Sequence, residues 1–133
     1  MPRDRFSADD PREWLQRARS NLAQARNEHP DIYLEDLCFQ AQQAAEKALK
    51  GVILSYGLEF PYTHDVAYLI SILERHIGPV PADLEDAAVL TRYAVATRYP
   101  GVIEPVTRAE YLEVLELTQR VVVWAEEAVN ERS

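Results

Sequence analysis

Residues 32–57 read IYLEDLCFQAQQAAEKALKGVILSYG. At 3.6 residues per turn, Leu34, Leu37, Cys38, Phe39, Ala41, Ala44, Ala45, Ala48, Leu49, Val52 and Ile53 cover most of one helix's circumference. A helix that is apolar nearly all round lies in the middle of a bundle. The four alanines and Gly51 leave little side-chain volume, so another helix can approach closely. Gly51 costs about 1 kcal/mol in helix propensity, which such packing offsets. Gly57 tolerates the left-handed conformation that ends a helix. The stretch therefore predicts a central helix from about Ile32 to Tyr56.

The neighbouring segments are helical as well, punctuated by prolines, with hardly any period-two alternation. Asp10, Pro11 and Glu13 predict a capped start for a first helix, with Glu13 as capping-box partner. Trp14, Leu15, Ala18, Leu22 and Ala25 form its face, and it ends near Asn27 or Glu28, before Pro30. Thr63 is the expected cap of a third helix, with Asp65 in its first turn, Val66, Leu69, Ile70 and Leu73 inward, and Gly78 at its end. A fourth spans about Asp83 to Ala96 on a stripe of Leu84, Ala87, Ala88, Thr91 and Val95. Thr107 and Glu110 open a fifth, running to about Asn130 with Leu112, Leu115, Val122, Ala125 and Val129 inward. The predicted fold is all-α, an antiparallel up-and-down bundle of about five helices forming one domain over residues 1–133.

Composition narrows the function. The 133 residues are 47% hydrophobic and 27% charged, and the single cysteine, Cys38, excludes a disulfide scaffold. No run of 18 apolar residues and no apolar leader follows Met1, so the expectation is a cytoplasmic protein without a membrane contact. Twenty-two acidic against 14 basic residues give a net charge of -8, which argues against binding duplex DNA. A local basic pocket is still compatible with that balance, for residues 1–30 carry six arginines against five acids, whereas residues 31–90 carry ten acids against three basic residues. Only Lys47 and Lys50 are lysines.

Gly-rich phosphate loops, HExxH, EF-hand patterns and nucleophile elbows are absent from the sequence, so neither a metal nor a cofactor is expected. Glu46 and Lys50, four apart in the favourable order, read as a surface pair worth a few tenths of a kcal/mol. His64 sits at a helix start, where neutral imidazole is favoured. His76 lies at a helix end that suits a cation. Stepping from Leu84 through Ala88, Thr91 and Val95 lands on Arg98, an arginine on an apolar stripe that needs an anionic partner or ligand. Arg92 and Tyr99, seven apart, share one side of the fourth helix and can frame a phosphate and a stacked base.

Three motifs in order, Asp36 to Lys50 (DLCFQAQQAAEKALK), Thr63-His64-Asp65 and Thr97-Arg98-Tyr99-Pro100, resemble the HEPN family of small helical bundles. The resemblance implies a bundle that commonly dimerises, is often encoded beside a minimal nucleotidyltransferase, and has proposed roles in nucleotide or RNA binding. Many HEPN proteins are metal-independent ribonucleases that use an arginine followed four to six residues later by histidine. Here no histidine follows His76. The expectation is a non-catalytic HEPN module, a homodimer that binds nucleotide, RNA or a nucleotidyltransferase partner through Arg92, Arg98, Tyr99, Lys47 and His64. The alternative is a ribonuclease toxin of a toxin–antitoxin pair in which His64 replaces the missing histidine. A third reading is a structural adaptor in which Arg98 is only a clamp.

Overall fold

The Asp10 carboxylate accepts a hydrogen bond of 2.9 Å from the Arg12 backbone N–H and starts α1, Pro11–Ala25. Glu13 does not close the expected box. Its carboxylate instead accepts from the Phe6 N–H at 3.0 Å and from Arg17 at 2.8 Å, so it ties the preceding segment to the helix. The computed structural model describes residues 4–95 and 105–132. Its further elements are α2, Leu34–Ser55; α3, Val66–Ile77; α4, Ala82–Asp86; a 3₁₀ segment, Ala87–Val95; and α5, Arg108–Arg132. The described residues form five α-helices and no strand, an antiparallel up-and-down bundle.

The α2 helix is central: it touches α1, α3, α5 and the 3₁₀ segment. Its buried alanines let α1 lie close, and at Gly51 there is little room for a side chain. A β-carbon there would stand 3.3 Å from the Pro11 carbonyl oxygen and 3.4 Å from Trp14 Cβ. The helix ends in a Schellman motif, with Gly57 at φ 74°. Leu58 N–H bonds the Ile53 carbonyl, and Gly57 N–H the Leu54 carbonyl.

Two further local expectations change. The cap of α3 is Asp65, which accepts from Tyr68 N–H at 3.2 Å, while Thr63 accepts from Asp65 N–H one step earlier. The inward face of α5 is Tyr111, Val114, Thr118, Val121, Val122, Ala125 and Val129, and Leu112 is exposed. Tyr111 wins that register because its hydroxyl donates to the Ala25 carbonyl at 2.6 Å, joining α5 to the end of α1. The start of α5 is as expected, since Thr107 accepts from Glu110 N–H at 3.1 Å.

The largest change concerns the fourth helix. It is α-helical for five residues and continues as 3₁₀ for nine. With three residues per turn, side chains at i and i+3 eclipse, and Leu84, Ala87, Leu90 and Tyr93 are the buried row. Ala88 and Thr91, on the α-helical stripe that pointed to Arg98, are only half-buried. Thr91 faces α3 instead, where its hydroxyl accepts from Val66 N–H at 3.0 Å. The segment is docked on that helix start, and the expected alignment of Arg92 with Tyr99 extends past Val95, where the 3₁₀ segment ends. Arg98 and Tyr99 themselves lie outside the described residues.

Candidate functional site

One row of α2 is polar and buried: Gln42, Glu46 and Lys50, spaced four apart. Glu46 is its centre. Lys50 Nζ donates to Glu46 Oε2 at 2.9 Å, and Gln42 Nε2 to Glu46 Oε1 at 3.1 Å. His64 arrives from the loop before α3 and brings Nδ1 to 2.8 Å from Glu46 Oε1. The Gln42 amide also donates to the His64 carbonyl at 3.1 Å, so the same side chain fixes the carboxylate and the loop. Trp14 and Phe60, packed edge to face at 5.0 Å, cover Lys50, whose ammonium lies 5.9 and 5.2 Å from the two ring centroids. The expected surface pair of Glu46 and Lys50 is thus a buried one. Spacing identifies the pair, but only the packing of Trp14, Phe60 and His64 over it decides its burial.

Lys47, the next residue along α2, turns toward α1. Its Nζ donates to Asn21 Oδ1 at 2.8 Å, and Asn21 Nδ2 donates to Gln40 Oε1 at 2.7 Å. Partial burial lowers the Lys47 pKa, opposed by the nearby Glu46 carboxylate and reinforced by Arg17 and Lys50. Lys47 lines a cleft of about 410 Å³ with Arg5, Arg17, Ser20, Asn21 and Glu13 among its walls. The cleft carries three cations against one carboxylate in a protein of net charge -8. Arg5 and Arg17 are not among the residues expected from the sequence, although the excess of arginine in residues 1–30 is a signal for them.

A larger groove of about 530 Å³ between α4 and α5 is lined by Asp83, Glu116 and Glu127 against Arg120, with Leu84 and Trp124. Its acidic balance suits an anion poorly. The remaining expected residues are spread out. His64 belongs to the Glu46 cluster, and Arg92 is exposed on the 3₁₀ segment with its guanidinium 5.7 Å from the Tyr93 ring centroid. Neither lines the Lys47 cleft. His76 is exposed. Among the described residues no group of three His, Cys, Asp or Glu side chains is arranged to hold a metal ion, and no helix is long and apolar enough to cross a membrane.

The HEPN domain family model matches residues 11–128, which include α1, the polar row of α2, His64 and most of α5. The chain belongs to the HEPN family. Two solved structures are similar to this HEPN chain. One is the protein TT1696 from Thermus thermophilus, 38% identical, with a TM-score of 0.77 over 89% of this chain and 97% of that one. The other is ST0689, an archaeal HEPN homologue, 28% identical, with a TM-score of 0.71 over 90% of this chain and 98% of that one. No curated protein matches significantly.

Proposed function

We propose that this HEPN chain is a binding module for a phosphate-bearing ligand, a nucleotide or RNA, and that the ligand's phosphates are held in the cleft between α1 and α2. The observation that carries this reading is the local reversal of charge: Lys47, Arg17 and Arg5 face one opening with Glu13 as the only carboxylate among its lining residues. Lys47 is partly desolvated, which strengthens its attraction to an anion. Asn21, Ser20, Gln16 and Gln24 add neutral hydrogen-bonding groups around it.

Titration with ATP and with a short oligoribonucleotide, followed by calorimetry, tests the proposal. A hydrogen bond to a charged group contributes about 1.5–3 kcal/mol, so Lys47→Ala and Arg17→Ala are each expected to weaken binding about tenfold or more. Arg120→Ala, in the groove between α4 and α5, leaves it unchanged. Retained affinity in both cleft variants refutes the assignment. Arg98→Ala extends the test to the segment outside the described residues.

A homodimer and a minimal nucleotidyltransferase are the proposed protein partners, and the exposed Leu112 and Val123 on α5 support a protein contact there. Light scattering tests the dimer. The contact between His64 and Glu46 favours a second reading, the metal-independent ribonuclease toxin, because a carboxylate on one ring nitrogen orients an imidazole for proton transfer. Growth arrest on expression, relieved by His64→Ala, would favour that enzyme.

A further inference from the structure

We propose that Glu13 is a positioning residue for the ligand's phosphate: by holding the Arg17 guanidinium through Nε alone, it presents the two terminal nitrogens to the cleft as a fixed fork. The inference rests on the phosphate cleft described above and adds what orients its arginine.

A carboxylate in the wall of an anion site repels the ligand, so its presence there calls for a second effect that outweighs the repulsion. Glu13 is not left to water. Its side chain is 4% exposed, and its Oε1 accepts from the Phe6 N–H at 3.0 Å. The segment that supplies this N–H is itself pinned over the first turn of α1. The Trp14 indole N–H donates to the Ala8 carbonyl at 2.7 Å, and the Arg12 guanidinium lies 4.0 Å from the Phe6 ring centroid. The Phe6 N–H, with Arg17 and Arg5 adding to it, holds the Glu13 carboxyl below the usual carboxylate range. The carboxylate is therefore charged and already fixed in place before a ligand arrives.

Arg17 stands one turn further along α1, and its Nε donates to Glu13 Oε2 at 2.8 Å. Its Nη1 and Nη2 have no partner among the described residues, and the side chain is 53% exposed at the cleft. Three other arginines show the contrast. Arg12, Arg19 and Arg108 each meet a carboxylate through Nε and Nη2 together, so a whole edge of the guanidinium is consumed. Glu13 takes only the Nε–H of Arg17. The terminal nitrogens keep their hydrogens free, and one from each matches two oxygens of a single phosphate group.

What Glu13 contributes is order. An arginine on an open helix surface loses rotamer freedom when it binds a ligand, which opposes affinity. Because the contact with Glu13 fixes the side chain beforehand, that loss does not fall on the binding step. The Arg17 charge also acts on Lys47, and the two cations line one cleft. A phosphate group there meets a fork from Arg17 and a point charge from Lys47.

Calorimetric titration of the full chain with ATP, in the parent and in Glu13→Ala, Arg17→Ala and the double variant, tests the inference. If charge alone mattered, removing a carboxylate would tighten anion binding. Instead Glu13→Ala is expected to weaken ATP binding about fivefold, the equivalent of one side chain set free, and to cause no further loss where Arg17 is already alanine. Arg17→Lys keeps the charge but not the fork, so it is expected to lose almost as much affinity as Arg17→Ala. That variant leaves Glu13 in place and carries the test if Glu13→Ala fails to fold. In proton–nitrogen spectra the Arg17 Nε–H is expected to exchange slowly with water, and to stay slow when ATP saturates the cleft. Unchanged or tighter ATP binding by Glu13→Ala, an equal loss in the Arg17→Ala background, parent-like binding by Arg17→Lys, or an Nε–H released by ATP overturns the inference and leaves the phosphate cleft standing. Failure of the parent chain to bind ATP overturns both.

Discussion

Glu46 and Lys50 form an ion pair of 2.9 Å that is withdrawn from water, with 4% and 9% of the two side chains exposed. A buried pair differs from a surface pair in what happens when one partner is lost, because the survivor is left charged and poorly solvated. Lys50→Met is expected to cost about 3 kcal/mol of stability. Combining it with Glu46→Gln should cost less than Lys50→Met alone, since no carboxylate then remains buried without its cation. Urea midpoints measure both, and a Lys50→Met protein as stable as the parent would contradict the burial.

At Gly51 the α2 backbone lies close against the start of α1, with the Pro11 carbonyl oxygen 3.3 Å from where a β-carbon would stand. In an open helix, Gly→Ala stabilises by about 1 kcal/mol. Here the crowding atom is backbone in the first turn of a capped helix and cannot swing away, and overpacking costs about 1–3 kcal/mol. The net expectation for Gly51→Ala is a loss of about 1 kcal/mol by chemical denaturation. A gain would show that α1 sits further from α2.

Three buried protons make the fold sensitive to alkali. Burial, with the Glu110 and Glu35 carboxylates nearby, pushes the Cys38 thiol up to about 12. Burial and the hydrogen bond to Glu110 push the Tyr93 phenol up, and burial with the Glu28 charge does the same to Tyr111. These groups keep their protons in the native state at a pH where the unfolded chain, with ordinary values of about 8.5 for Cys and 10 for Tyr, releases them. Their contribution is complete below about pH 8.5 and is lost as pH rises toward 12. The urea midpoint should therefore fall from about pH 8 to about pH 11, less steeply in Tyr93→Phe. Native Cys38 should resist a disulfide reagent at about pH 8 and react fully in denaturant. A midpoint that stays constant over that range would count against these assignments.

Thr118 is fully buried on α5, and its hydroxyl has no hydrogen-bond partner among the described residues. A buried hydroxyl without a partner costs about 1–3 kcal/mol. Thr118→Val keeps the shape and removes the hydroxyl, so it should raise the melting temperature, by several degrees for about 1 kcal/mol in a chain of this size. A lower melting temperature would mean that the hydroxyl is satisfied in solution.

The elements legible in the sequence are those set by short-range physics. Asp10 caps α1, Thr107 caps α5 and Gly57 closes α2 because each acts on backbone groups within a few residues. The 3₁₀ segment is not legible in the same way, because Ala87–Val95 offers apolar residues at both three- and four-residue spacing, and propensity alone does not choose. Docking of Thr91 on the start of α3 accompanies the three-residue row. Of the candidate site, Lys47 and His64 are visible from helix position and residue type. Arg17 and Asn21 are not, since they join Lys47 only when α1 folds back along α2.

By itself the sequence determined that this chain is an all-helical bundle built around α2, because periodicity, small residues and helix ends are local properties that survive in any packing. The tertiary structure alone decided that Gln42, Glu46 and Lys50 are interior and Lys47 opens to a cleft. Those four residues lie on one helix, and their fate depends on which atoms from distant segments cover them. Trp14, Phe60 and His64 cover the first three, while α1 stops short of covering the fourth. Burial is a property of both surfaces in a contact, and a sequence shows only one of them at a time.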